Sequence, residues 1–151
     1  MKQRGVTRPI ATGKGRLVEI VTGVGAEDHD ALLAVVRYGL PASVIRLLEA
    51  AYGVTQAEIS VALRIPRTTL NRRLRQNERL TADESERVIR LARIKDLASG
   101  MMHGDDEAAT VWLRMPREVL GGEAPMVRAT TEIGARDVED LIGRIQNGVF
   151  G

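Results

Sequence analysis

No cysteine occurs in the 151 residues, so disulfides and thiolate metal sites are both excluded. Aromatic residues are nearly as scarce: one Trp, one Phe and two Tyr leave the packing to Leu, Ile, Val, Ala and Met, a composition of packed helices rather than sheet sandwiches. Apolar runs fall far short of the roughly 20 residues of a membrane span, and the basic N-terminus lacks the apolar stretch of a signal peptide. A cytoplasmic, all-α protein of one domain or two very small ones is expected. His29 and His103 have neither a nucleophile partner nor ligand spacing around them. No enzyme, metal, cofactor, small-molecule substrate or membrane partner is therefore expected.

Charge is the informative feature. The net charge is only +2, yet the sequence pI is about 9.4 and arginines crowd between residues 64 and 93. Residues 1–25 carry Lys2, Arg4, Arg8, Lys14 and Arg16 among glycines with little apolar periodicity, and are expected to form a flexible basic arm. Thr12-Gly13-Lys14-Gly15 lacks the glycine spacing and the following Ser or Thr of a phosphate loop.

Helical order is expected from Asp28, with Leu32, Val35 and Val36 at helical steps and a stop at Gly39 and Pro41. Val44, Leu47, Leu48 and Ala51 form the stripe of a second helix. Two capping boxes, Thr55 with Glu58 and Thr81 with Glu84, open further helices, the second running through Val88, Leu91, Ile94 and Leu97 to Gly100. The acidic run at Asp105, Asp106 and Glu107 suits a helix N-terminus better than a metal. Trp112, Leu120 and Val138 read as core residues and Gly121-Gly122 as punctuation. Val138, Leu141, Ile142 and Ile145 mark a last helix ending at Asn147-Gly148.

Between the capped helix at Thr55 and the box at Thr81 lies a short helix whose large apolar residues are Leu70 and Leu74 alone. Two short helices joined tightly, the second rich in arginine, have the organisation of a DNA-reading helix-turn-helix. At about 100° per residue, turning both leucines inward points Thr68, Thr69 and Arg72 outward, flanked by Asn71, Arg73 and Arg75. Arg72 suits guanine, Asn71 adenine, and Thr68 or Thr69 a thymine methyl or base edge. Arg67 opens the helix; Arg73, Arg75 and Arg79, with Arg64 beside the turn, suit phosphates. A merely solvated basic face is the alternative. The turn Leu63-Arg64-Ile65-Pro66 has no glycine, so a left-handed Arg64 would cost roughly 1–2 kcal/mol.

The runs Thr55–Ile59 and Ile65–Leu74, with Leu80 and Glu84, resemble the Xre-like helix-turn-helix of antitoxins in the Xre, MbcA and ParS family. Trp112-Leu113, Pro116, Leu120-Gly121-Gly122, Pro125-Met126, Thr131-Glu132-Ile133-Gly134-Ala135, Val138, Leu141, Arg144-Ile145 and Gly148-Val149 resemble that family's toxin-binding region. The resemblance spans roughly residues 30 to 150. It implies an antitoxin of a type II system that neutralises a RES-domain, NAD-degrading toxin by covering its active site. It also implies repression of the shared promoter.

The chain is thus divided into a basic arm (1–25), a helix-turn-helix and dimerisation domain (26–100) and a toxin-binding domain (101–151). The resemblance implies toxin contacts at Arg144, Asn147, Gly148, Val149 and Phe150. Met126 joins them if it and the terminal Val149-Phe150 stay exposed rather than capping the small core. A homodimer is expected because paired half-sites need two reading helices, with the helix from Glu84 to Leu97 as one candidate contact and a scaffold role as its alternative. A free-standing dimeric regulator is the competing function.

Overall fold

The computed structural model describes residues 16–148. Among these, nine α-helices and one 3-10 turn follow one another without a strand, as the composition predicts. They are α1 (Arg16–Thr22), α2 (His29–Tyr38), α3 (Val44–Tyr52), α4 (Gln56–Leu63), α5 (Arg67–Gln76), α6 (Ala82–Met101) and α7 (Asp106–Arg114). The 3-10 turn (Glu118–Leu120), α8 (Pro125–Arg128) and α9 (Glu132–Gln146) complete the chain. None of these helices is long and apolar enough to cross a membrane, and no group of three potential metal ligands lies together among the described residues.

The organising element is α6. Thr81 accepts from the Glu84 amide while Glu84 accepts from the Thr81 amide, so the predicted capping box fixes its start. Val88, Ile89, Leu91, Ala92, Ile94, Ala98 and Met101 bury more than one side of the helix, a pattern that demands neighbours all round. Helices α1, α2, α3, α7 and α9 supply them. Tyr52 from α3 is fully buried and donates its hydroxyl hydrogen to the Leu91 carbonyl at 2.7 Å, so its polar tip is satisfied inside the core. The stripe expected to offer a dimer contact, Glu84 to Leu97, is consumed inside the protomer, and α6 is the scaffold.

The arm expected over residues 1–25 is corrected for its second half. Leu17, Val18 and Val21 of α1 are buried against α6. The Asp96 carboxylate on α6 accepts from the amides of Leu17 at 2.6 Å and Val18 at 3.0 Å, satisfying two of the donors that a helix start leaves open. Arg16 adds an ion pair with Asp106 at 2.9 Å. The apolar residues were visible, but the partner that orders them lies 79 residues away in sequence. Residues 1–15, with the Thr12–Gly15 segment, lie outside the described residues.

A short stitch joins α2 to α6. Pro41 bridges Arg79, and Leu80 donates its amide hydrogen to the Leu40 carbonyl at 2.8 Å. Gly39, at φ 93°, makes this possible, because a Cβ there would lie 2.4 Å from the Leu80 carbonyl oxygen.

Candidate nucleic-acid interface and partner-binding region

The capping box at Thr55 and Glu58 starts α4 as predicted, and Ile59 and Leu63 bury its inner face. The turn that follows has Arg64 in the left-handed region, φ 56° and ψ 42°. Two features hold it there. Ile65 is buried and bonds back to the Ser60 carbonyl at 3.0 Å, and Arg87 of α6 reaches under the turn to the Leu63 carbonyl at 2.8 Å. The cost is local, since glycine would occupy this conformation freely. Arg64→Gly should therefore raise the stability of the free protein, net of glycine's entropic penalty, by about 0.5–1 kcal/mol. Loss of a like-charged neighbour of Arg90 acts in the same direction. Urea denaturation checks this, and a lowered midpoint would refute it.

Pro66 precedes α5 as its N-cap, and Leu70 is completely buried with Leu74 packed partly behind it. The outward face carries Arg67, Thr68, Asn71, Arg72 and Arg75, all exposed, across about 140° of the wheel at 100° per residue. Thr69 is only half-exposed, at the edge of that face.

Two of the predicted phosphate ligands are committed elsewhere. Arg73 forms an ion pair with Glu84, both side chains being largely buried at 13% and 12% exposure. It ties α5 to the start of α6. Arg79 donates to the Gly39 carbonyl at 2.7 Å and lies over the Tyr38 ring at 4.1 Å from its centroid. Arg72 contacts Glu78 at 3.4 Å, but both side chains are about two-fifths exposed, and such a surface pair contributes roughly 0–1 kcal/mol and is readily exchanged. Gln56, at the first turn of α4, escaped the sequence reading. Its amide donates to Asn71 and its carbonyl accepts from Arg46 of α3 at 3.2 Å, so a polar seam runs from α3 to the outward face of α5. Its one sequence signal is its position directly after a cap.

The C-terminal region closes around Trp112, Leu113, Leu120, Ala129, Val138 and Ile142, all buried. Gly121 and Gly122 turn the chain at φ 70° and 86°, a Cβ on the first meeting only the tip of Arg128 at 3.6 Å and one on the second nothing within 4 Å, as punctuation should. Asp105 caps α7 through the Ala108 amide at 3.0 Å, in line with the capping reading of the acidic run. Arg128 clamps α8 to α9, donating to Asp137 at 2.8 Å and to Glu123 at 3.3 Å. Met126, expected to stay exposed, is 7% exposed and belongs to the core, because Pro125 turns α8 inward. Arg144 is half-buried near the end of α9, and Asn147 and Gly148 are exposed beyond it; Val149 and Phe150 lie outside the described residues. Val111, Met115, Val119 and Val127 are each at least half-exposed, apolar residues that periodicity did not single out.

Residues 31–93 match the antitoxin Xre-like helix-turn-helix domain, and residues 100–148 match the antitoxin Xre/MbcA/ParS C-terminal toxin-binding domain. The fold therefore defines a helix-turn-helix protein carrying a toxin-binding domain. It is 34% identical to Antitoxin Xre of Yersinia enterocolitica over 94% of this chain and 96% of that protein. It is 33% identical to Antitoxin Xre of Photorhabdus laumondii over 78% and 80% of the two chains. A Sphingobium protein named Prs ADP-ribosylating antitoxin is 32% identical over 78% and 79%. The chain belongs to the Xre, MbcA and ParS antitoxin family, and is an antitoxin of a toxin-antitoxin system.

Proposed function

We propose that this antitoxin silences a RES-domain, NAD-degrading toxin by covering its active site, and represses its own operon by binding operator DNA as a homodimer. The observation that carries the proposal is the pairing, in one chain, of an exposed basic face on α5 with a matched toxin-binding domain. ADP-ribosylation draws its ADP-ribose from NAD, so the relative named for Prs ADP-ribosylation supports a partner with NAD chemistry. The proposed division places DNA reading and dimerisation within 26–100 and toxin contact within 101–151, the latter through Arg144, Asn147, Gly148, Val149 and Phe150. The exposed Val111 and Met115 supply apolar area for the same contact. Coexpression with the neighbouring toxin gene should restore growth and cellular NAD and yield a stable complex; persistent toxicity beside a folded antitoxin would overturn the reading.

On DNA, the proposed contacts are Arg67, Thr68, Asn71, Arg72 and Arg75, with Thr69 at the edge and Gln56 at the α4 end. Arg72→Ala should weaken specific binding by about 1–3 kcal/mol and relax preference at one base position. Arg75→Ala should weaken all sequences alike and lower the salt slope by about 1. Arg73→Ala, by contrast, should lower the melting temperature, since its partner Glu84 caps α6. Salt-controlled titration of promoter DNA separates these outcomes. Unchanged binding for both Arg72→Ala and Arg75→Ala would remove α5 from the interface.

A further inference from the structure

Helix α2 is amphipathic yet has no buried residue, unlike every other α-helix among the described residues. Leu32, Val35 and Val36 rest on the core. The opposite side carries Asp30, Leu33, Ala34, Arg37 and Tyr38, at i, i+3, i+4, i+7 and i+8, and all five are exposed. Leu33 is 45% and Tyr38 73% exposed, large areas to leave to water.

The order of residues along this stripe is self-complementary. Two apolar positions, Leu33 and Ala34, sit at its centre. An acid, Asp30, lies three residues before them and a base, Arg37, three residues after. Neither charge has an ion-pair partner among the described residues. Rotating a second α2 by a two-fold axis through the midpoint of Leu33 and Ala34 sets Leu33 against Ala34, Asp30 against Arg37 and His29 against Tyr38, each contact occurring twice, as an isologous interface requires. The antiparallel helix dipoles oppose favourably in the same arrangement. Beside the His29 end lies a groove of about 250 Å³ in which Leu32, Leu33 and Ile89 are mixed with the charged Glu86, Arg90 and Arg93.

We propose that this face of α2 docks against α2 of a second copy of the chain. The inference deepens the operator-binding reading, which calls for a dimer, and its test stands apart from DNA. Sedimentation equilibrium of the full-length protein, without DNA or toxin, is expected to show a concentration-dependent dimer. Leu33→Asp should abolish it with helicity retained and little change in melting temperature, the side chain being nearly half exposed. Asp30→Arg and Arg37→Asp should each weaken the dimer at least tenfold by facing like charges, and the double variant should regain it, because each reversed charge meets its complement on the other copy. A wild-type monomer up to several hundred micromolar, single variants that dimerise normally, or a double variant that stays monomeric would each overturn the α2 interface. Dimerisation that follows this pattern in a protein without operator affinity would sink the DNA reading and leave the interface standing.

Discussion

Gly134→Ala is expected to break the C-terminal region apart. Gly134 sits in the first turn of α9, where its amide bonds to the Thr131 cap at 3.0 Å. A Cβ at this position would lie 1.8 Å from the Arg128 carbonyl oxygen and 2.8 Å from its carbon, separations that no rotamer change relieves because the obstacle is backbone. Either α9 lifts away from α8 or the cap opens. Both responses also strain the Arg128 clamp to Asp137. Overpacking usually costs about 1–3 kcal/mol, and a backbone clash with no flexible atom to yield belongs at the upper end or beyond. Denaturant titration should show the midpoint moved down by that amount, and hydrogen exchange should show the loss concentrated in α8 and α9. Toxin binding should fail with it. A variant of unchanged stability would mean that α8 and α9 meet differently.

Asp96→Ala is the second large effect. It strips the acceptor from two amides, Leu17 and Val18, and each buried donor left without a partner costs about 1–3 kcal/mol. It also leaves Lys95, whose own charge burial disfavours, without one of its two nearby carboxylates. Loss of roughly 2–5 kcal/mol is expected, with α1 released from α6 and its amides exchanging freely. The same residue carries a pH signature. Burial pushes the Asp96 carboxyl up to about 6, against the opposing pull of the two amides and of Lys95 and Arg16. The folded protein thus binds this proton more tightly than the unfolded chain does. The group's contribution to stability is full below about 3.8 and is lost as pH rises through about 6. Asp96→Asn should remove that slope. Stability measured between pH 4 and pH 7 should show the wild type gaining on Asp96→Asn as pH falls; parallel curves would assign the carboxyl an ordinary acidity.

Local chemistry was legible wherever cause and effect lie within one turn. Thr55 with Glu58 and Thr81 with Glu84 are both present as reciprocal caps, and Arg64 does adopt the left-handed conformation whose cost was weighed for a turn without glycine. The wheel that turned Leu70 inward placed Thr68, Asn71, Arg72 and Arg75 on the exposed face as expected, whereas Thr69 lies only at its edge and Arg73 is drawn inward to Glu84. Non-local contacts were not legible. Glu84 was readable as a cap, but its second role, holding Arg73, needs α5 and α6 to meet. Arg79 looked like a phosphate ligand until Tyr38 and Gly39 came beside it. Met126 and α1 failed for related reasons: α1 is buried by a helix remote in sequence and Met126 by the closing of α7, α8 and α9 on one another, and period alone does not say which apolar stripe finds a cover.

The first matched region ends at residue 93 and the second begins at residue 100, yet the helix that crosses from one to the other runs unbroken from Ala82 to Met101. A cut there would leave Ile94 and Ala98 bare on one fragment and α7 and α9 without their floor on the other. Chimaeras that join one relative's reading half to another's partner-binding half must therefore inherit this helix together with the residues that face it from both sides. Recombination between such antitoxins succeeds or fails on the match along that single rod.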